Sequence, residues 1–293
     1  MKKITSLLAA ILVLATVSCK NEGAKPAEGE TTAKDTIVKN DVSRIVSLNG
    51  AVTEVIAALG HEKNIVGVDV TSTYPESVKT TAKDLGHVAH GVSIEGIMEL
   101  KPTIIFGTEK DLTPDLTAKI KASGVKAVIF KQEFTKDGAK KLIADVAKEL
   151  GHEDIKAVQD KIDTDLAGVT KPEKAPKVLF IYARGANMLM VSGSGTPIEA
   201  MIQLAGGENA ITGFADYKPL TPEAVVTANP DYILLFDSGA QSVNGEAGVL
   251  KLPGVDKTNA GKNKKIITMD GGLLTNFGPR TGEAAKALNA LLK

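Results

Sequence analysis

The chain has 293 residues, enough for one large or two medium domains, and its 35 basic and 35 acidic residues balance to zero formal charge. That balance excludes the basic excess of a nucleic-acid binder, while an anionic small ligand needs only a local patch. With 43% apolar residues, 4% aromatics and no Trp, the core must be aliphatic, and the single Cys19 excludes an intrachain disulfide.

Lys2 and Lys3 form a positive start, followed by an apolar stretch over residues 7–17 that is too short to span a bilayer comfortably. Ser18 places a small residue just before Cys19. A lone Cys is usually a small buried hydrophobe. Here residues 1–19 resemble a bacterial lipoprotein signal, with Cys19 as the lipidated first residue of the mature chain. Thr16 stands where that signal usually has Leu, and a plain secretory signal ending nearby is the alternative. Bacterial lipoproteins carry several acyl chains, so attachment would be firm. Residues 20–42 are Lys, Glu, Ala, Thr and Gly with almost no large apolar side chains, and read as a flexible tether.

Folded sequence starts near Arg44. Residues 44–48 predict a short buried strand, 53–59 a helix stopped by Gly60, and 65–68 a second strand. A helix over 93–100 closes at Lys101-Pro102, and a strand follows over 103–107. Residues 114–122 predict a helix, 125–130 a strand, and 136–150 a helix ending at Gly151. Short apolar strands alternating with helices predict a parallel α/β sheet. A second long helix is expected from Glu153 to about Val169, with Ile155, Val158, Ile162 and Leu166 as its apolar stripe. A polar, Pro-bearing connector follows, and the pattern restarts: strand 177–183, helix 197–204, helix 222–228, strand 231–236, strand 265–269 and a terminal helix over 281–292.

Two segments match each other. Residues 94–106 and 222–234 both read as a Glu at a helix start, a short helix, a Pro stop and a buried strand. A carboxylate in the first turn suits the helix dipole, so Glu95 and Glu223 are at least capping residues. The repeat implies two similar α/β lobes joined by one long helix.

From Arg44 onward these landmarks resemble the helical-backbone class of periplasmic binding proteins for vitamin B12, ferric siderophores and haem. The resemblance rests on Ser47-Leu48-Asn49-Gly50-Ala51 with Thr53-Glu54, on Val66-Gly67-Val68-Asp69 with Tyr74-Pro75, and on Leu100-Lys101-Pro102. In the second half it rests on Ala205-Gly206-Gly207-Glu208-Asn209, Pro219-Leu220-Thr221-Pro222-Glu223 and Leu252-Pro253-Gly254. It implies two Rossmann-like lobes with mainly parallel sheets, a single long connecting helix, and a ligand cleft between the lobes. The expected boundaries are 43–151 for the first lobe, 152–172 for the connecting helix and 173–293 for the second lobe.

The haem branch fits best through Gly193-Ser194-Gly195-Thr196-Pro197 with Ala200-Met201-Ile202, and through residues 213–220. Leu85-Gly86-His87 aligns with that branch's Leu-Gly-Tyr, whose phenolate binds haem iron. His87 replaces the Tyr here, and one extra residue precedes Glu95. Imidazole is a common haem ligand, so the resemblance implies haem as transported ligand with His87 as axial ligand; another iron complex, a ferric siderophore or a corrinoid is the alternative. The resemblance also implies that Glu95 and Glu223 dock on arginines of an inner-membrane ABC permease with its ATPase. Such ion pairs mainly steer and orient docking. The expected protein is a monomeric periplasmic carrier, tethered by its lipid, with neither enzymatic activity nor a catalytic cofactor.

Other residues divide as follows. His61 and His152 follow helix-ending glycines and read as surface residues, whereas His87 and His90 share a Gly-flanked loop expected to face the cleft. Met188 and Met190 lie in a short segment between glycines. Met is usually core filler, yet in a cleft it could pack on a porphyrin. Arg184 follows the first strand of the second lobe, a typical cleft position, and a guanidinium pairs well with a propionate. Tyr217 and Lys218 are further cleft candidates, whereas Tyr182 and Tyr232 sit within strand patterns and read as structural. Gly193-x-Gly195 lacks the third Gly of a dinucleotide loop, Ile198 standing there. A hydrolase or oxidoreductase is the contrasting class, and no nucleophile elbow, His-Glu-x-x-His or complete nucleotide loop supports it. A manganese or zinc carrier would need more His or acidic ligands in one cleft than this sequence offers.

Overall fold

The computed structural model describes residues 40–88 and 91–293. The expected signal, Cys19, most of the tether and His90 lie outside the described residues.

Strands β1 (Ile45–Ser47), β2 (Ile65–Val68), β3 (Lys83–Asp84), β4 (Ile104–Thr108) and β5 (Lys126–Phe130) build the first lobe's sheet in the order β3-β2-β1-β4-β5, with every pair parallel. Between them run α1 (Gly50–Ala58), α2 (Val78–Thr81), α3 (Ile94–Glu99) and α4 (Pro114–Ala122), and after them α5 (Lys136–Leu150). Ile45, Val46, Ile104, Ile105 and Phe106 are fully buried, as central parallel strands covered on both faces require. Alternation sends Ile45, Ile104 and Phe106 to a core with α1 and α5, and Val46 and Ile105 to a core with α3 and α4.

The helix between the lobes, α6 (Lys156–Ala167), is shorter than the stripe over 153–169 predicts. It begins after Ile155, and His152 Nε2 lies 3.1 Å from the Asp154 carbonyl in the turn before it. It stops at Gly168. Ile162 is its one fully buried side chain among the described residues, packed in the first lobe's core, while Leu166 touches the cores of both lobes. From there the chain reaches the second lobe without further helix.

That lobe contains β6 (Lys177–Ala183), β7 (Leu189–Ser192), α7 (Pro197–Leu204), β8 (Glu208–Asn209), β9 (Tyr217–Pro219), α8 (Pro222–Ala228) and β10 (Tyr232–Phe236). It continues through α9 (Asp237–Ser242), α10 (Gly245–Val249), α11 (Asn259–Lys262), β11 (Ile266–Met269), α12 (Gly271–Thr275) and α13 (Thr281–Leu291). The sheet runs β11-β10-β6-β7-β9, with β8 also on β6. Strands β8, β10 and β11 are parallel to β6 or to one another, whereas β7 and β9 are antiparallel additions. One edge of β6 is thus shared: β8 pairs its first residues, and β7 pairs Ile181–Ala183 at its end.

Threonine before proline sets several helix starts. Thr113, Thr196 and Thr221 accept from the backbone N–H of Leu116, Glu199 and Ala224, with Pro in the first turn. The internal repeat is structural as well as sequential. Helices α3 and α8 both give way to a left-handed residue before Pro, Lys101 (φ 48°) and Asn229 (φ 38°), and then to β4 and β10.

The lobes also meet directly. Glu54 of α1 receives Arg280 Nε (3.0 Å) and Nη2 (2.6 Å), a bidentate pair between residues far apart in sequence. Asn276 Nδ2 donates to the same carboxylate at 2.8 Å, and the Tyr74 ring lies 3.8 Å from the Arg280 guanidinium carbon. The Glu54 side chain is 2% exposed and that of Arg280 14%.

Candidate functional site

In an open parallel sheet, loops at the carboxyl ends of the strands form the binding edge. In the first lobe the segment after β3 occupies such a position. Asp84 accepts the Gly86 N–H at 2.8 Å, and Gly86 adopts φ 86°, a turn that suits a residue without Cβ. The Gly86 carbonyl accepts from Val70 N–H at 3.1 Å, tying the turn to the exit of β2. His87 follows, half-buried, at the mouth of the lobe.

The second lobe gathers four expected residues on one surface. Strand β6 ends with Tyr182 and Ala183, and Arg184 follows, exposed. A tight turn returns the chain to β7: Arg184 N–H donates to Met188 O at 2.9 Å, and Gly185 N–H to Ser242 Oγ at 2.9 Å. Met188 at the turn is 48% exposed. Met190 stands opposite Tyr182 in the antiparallel pair, and Pro219 of β9 stands opposite Met190. Directly paired residues share a sheet face, so Tyr182, Met190 and Pro219 form one row. Tyr217 pairs with Ser192 on the same face.

Tyr182 carries more of this surface than its strand position suggests. Its ring meets Phe236 edge-on at 6.1 Å, Phe236 meets Phe180 at 4.9 Å, and the Arg184 guanidinium carbon lies 5.7 Å from the Tyr182 ring centroid. The signal for it was available: the penultimate residue of a parallel strand, on the same face as Phe180. Tyr232, by contrast, is buried and donates to the Lys293 carbonyl at 2.6 Å, a structural role. Burial pushes the Tyr217 phenol above its usual value, only partly offset by a hydrogen bond with Ser192.

Glu95 and Glu223 lie exposed in the first turns of α3 and α8, one on each lobe. Ser93 Oγ donates to Glu95 at 2.6 Å and, as the main cause, holds that carboxyl below its usual range. A cavity of about 410 Å³ lies elsewhere, lined by Glu54, Tyr74, Val158, Lys161 and Arg280 among others, and includes none of the candidate ligand residues. No group of three or more His, Cys, Asp or Glu placed to hold a bare metal ion occurs among the described residues. No helix there is long and apolar enough to cross a membrane.

The His87 loop and the Tyr182 surface offer an imidazole, two phenols, two thioethers and a guanidinium. Such a set suits a flat, mainly apolar ligand with a soft or imidazole-seeking metal and peripheral carboxylates.

A family model described as periplasmic binding protein matches residues 45–273. Among solved structures, the periplasmic heme-binding protein RhuT from Roseiflexus sp. RS-1, in apo form, is 37% identical with a TM-score of 0.81, covering 85% of this chain and 97% of that one. The heme-binding protein HmuT is 28% identical with a TM-score of 0.77, covering 87% and 85%. It has also been solved with single substitutions of a tyrosine, a histidine and an arginine. Among curated proteins, the uncharacterized ABC transporter substrate-binding lipoprotein YvrC of Bacillus subtilis is 28% identical, covering 88% of this chain and 82% of that protein. A vitamin B12-binding protein of Vibrio vulnificus is 25% identical, covering 82% and 86%.

Proposed function

The chain belongs to the periplasmic binding protein family, as a substrate-binding transport protein of an ABC system rather than an enzyme, and we propose that its ligand is haem, captured between the lobes and handed to a membrane permease. The observation that carries this reading is the Tyr182-x-Arg184 pair at the mouth of the second lobe, with His87 at the mouth of the first. In HmuT the substituted tyrosine and arginine stand two residues apart, with the histidine 99 residues before the tyrosine. Here Tyr182 and Arg184 stand two apart, with His87 95 residues before Tyr182.

In this reading His87 and Tyr182 reach the iron from opposite lobes. Arg184 offers positive charge to an anionic iron ligand or to a propionate. Met188, Met190, Tyr217 and Phe236 pack on the macrocycle, and His90 is a further candidate ligand. The lobes span 43–151 and 173–293, with 152–172 between them. Glu95 and Glu223 dock on the permease, and Cys19 carries the lipid that tethers the carrier at the membrane through residues 20–42. A corrinoid is the rival ligand, favoured by the B12-binding relative.

The test is a titration of the purified protein with haemin and, separately, with cyanocobalamin, followed by absorbance, alongside His87→Ala and Tyr182→Phe. The expected result is a saturable Soret shift at near-stoichiometric haemin, altered in both variants, and no saturable change with cyanocobalamin. Saturable corrinoid binding without a haemin shift would replace haem by the rival.

A further inference from the structure

The tetrapeptide Leu-Gly-His-Glu occurs twice in the chain, as Leu59-Gly60-His61-Glu62 and as Leu150-Gly151-His152-Glu153. The first copy ends α1 and the second ends α5. Both close their helix in the same way. Gly60 (φ 81°) and Gly151 (φ 66°) are left-handed. Gly60 N–H donates to Ala57 O at 2.9 Å and His61 N–H to Ile56 O at 3.0 Å; Gly151 N–H donates to Lys148 O at 3.2 Å and His152 N–H to Ala147 O at 2.9 Å. One Schellman ending is made twice. It accounts for the glycine and for the buried Leu before it. It does not account for histidine in the next position, where an apolar residue usually folds back on the helix.

Helices α1 and α5 share the first lobe's core, and their ends bring the two histidines together. The rings are half-buried, with centroids 6.1 Å apart and planes at 79°. His152 Nε2 lies 3.1 Å from the Asp154 carbonyl. A carbonyl only accepts, so this bond places the ring proton on Nε2 and the lone pair on Nδ1. A metal-bound imidazole is commonly held in this way, its other nitrogen donating to a backbone carbonyl. With metal–nitrogen bonds of about 2.0–2.1 Å, two imidazoles on one ion set their centroids about 5–6 Å apart. Both helices also turn the negative end of their dipole toward this spot, which favours a cation. The pair lies just before β2, at the amino end of the strands, whereas His87 follows β3 at the carboxyl end.

We infer that His61 and His152 form a second binding site on the first lobe, for one divalent transition-metal ion of the imidazole-seeking kind, Cu2+, Ni2+ or Zn2+. Water completes the coordination, and the ion ties the end of α1 to the end of α5. Two protein ligands make an exchangeable site rather than a closed structural one, for which four are usual. Mg2+ and Ca2+, which seek oxygen, are not taken. The inference does not rest on the haem reading, since the site lies at the other edge of the sheet.

The experiment titrates the full chain with CuCl2 and reads the bound ion by electron paramagnetic resonance, with Cys19→Ser removing the one thiol. The expected result is one tightly bound Cu2+ per chain whose hyperfine pattern reports two imidazole nitrogens, displaced by Zn2+ and not by Mg2+. His61→Ala and His152→Ala are each expected to leave one nitrogen and to weaken binding about a hundredfold, because the second imidazole no longer acts as a tethered neighbour. His87→Ala with His90→Ala is expected to keep the parent spectrum. Zn2+ is expected to raise the thermal midpoint of the parent and not that of the double variant His61→Ala with His152→Ala. Circular dichroism certifies the fold of each variant, and the nitrogen count in the parent stands without any of them. Fewer than two nitrogens in the parent, a folded double variant that binds as the parent does, or loss of the ion with His87 and His90 overturns the inference.

Discussion

The guanidinium of Arg184 lies over the ring of Tyr182, 5.7 Å from its centroid, at the end of the strand that opens the second lobe. The pair joins a cation to a phenol where the ligand of a parallel α/β sheet is expected. Removing the cation by Arg184→Ala is expected to weaken haemin binding. Bonds to charged groups contribute about 1.5–3 kcal/mol, and the exposure of Arg184 favours the low end, about tenfold in Kd. Titration at two salt concentrations checks this, since an exposed charge contact weakens with salt.

His87→Ala and Tyr182→Phe are expected to act on the iron instead of on the charge. Each is expected to move the Soret band and to lower affinity by at least about tenfold, or about 1.4 kcal/mol. Tyr182→Phe keeps the ring against Phe236, so a band shift in that variant reports the oxygen alone.

Charge reversal at the two helix starts, Glu95→Arg with Glu223→Arg, is expected to abolish ligand delivery in a transport assay while haemin titration is unchanged. Equal loss of binding and transport would remove the docking role. Cys19→Ser is expected to shift the protein from the membrane fraction to the soluble one.

Ile162 is the anchor of α6 in the first lobe's core. Ile162→Ala is expected to cost about 2–5 kcal/mol, read as a lowered midpoint in thermal or denaturant unfolding.

Burial pushes the Glu54 carboxyl above its ordinary 4.5 in spite of Arg280 and Asn276, with Asp270 adding to the rise. For Arg280 burial acts downward, but the bonds and charge of Glu54 outweigh it and the net movement is upward. The two partners thus disagree on whether the pair outweighs its lost hydration. The more buried carboxyl carries the larger burial penalty and decides the sign. An acid raised in the folded state contributes stability that is full below its unfolded value and lost as pH rises through the folded one. The stability of the parent relative to Glu54→Gln is therefore expected to fall as pH rises from about 4.5. The opposite slope in paired thermal melts would show that the ion pair outweighs burial.

Much of the fold was legible because local rules and tertiary packing agree. Thr-Pro at 113–114, 196–197 and 221–222 fixed three helix starts, and Gly151 closed α5 in the left-handed conformation its position demanded. The sequence predicts no helix between Asp237 and Thr275, because the short helices there are Gly-rich and carry no apolar stripe; they are held by packing, Ala240, Val243, Val249, Val255 and Ala260 in one core of the second lobe and Leu274 in the other. The site was legible unevenly. Arg184 is a candidate from strand order, and His87 from its Gly-flanked loop as well as from the resemblance. Tyr182 reads as structural because a strand-end residue also fits the core pattern, although its place next to last in a parallel strand, on the face of Phe180, carries a cleft signal too. Glu54 and Arg280 are too distant in sequence for any local signal to pair them.

The twin helices α3 and α8 have a consequence for geometry beyond the chain itself. Each starts on a hydroxyl cap with a glutamate two positions on and is followed by a left-handed residue before proline. On the proposed docking role, the two matching helix starts would offer one like carboxylate from each lobe to a port built of two like subunits. The two starts differ in one respect: the Ser93 hydroxyl donates to Glu95, a bond that among the described residues Thr221 does not make to Glu223.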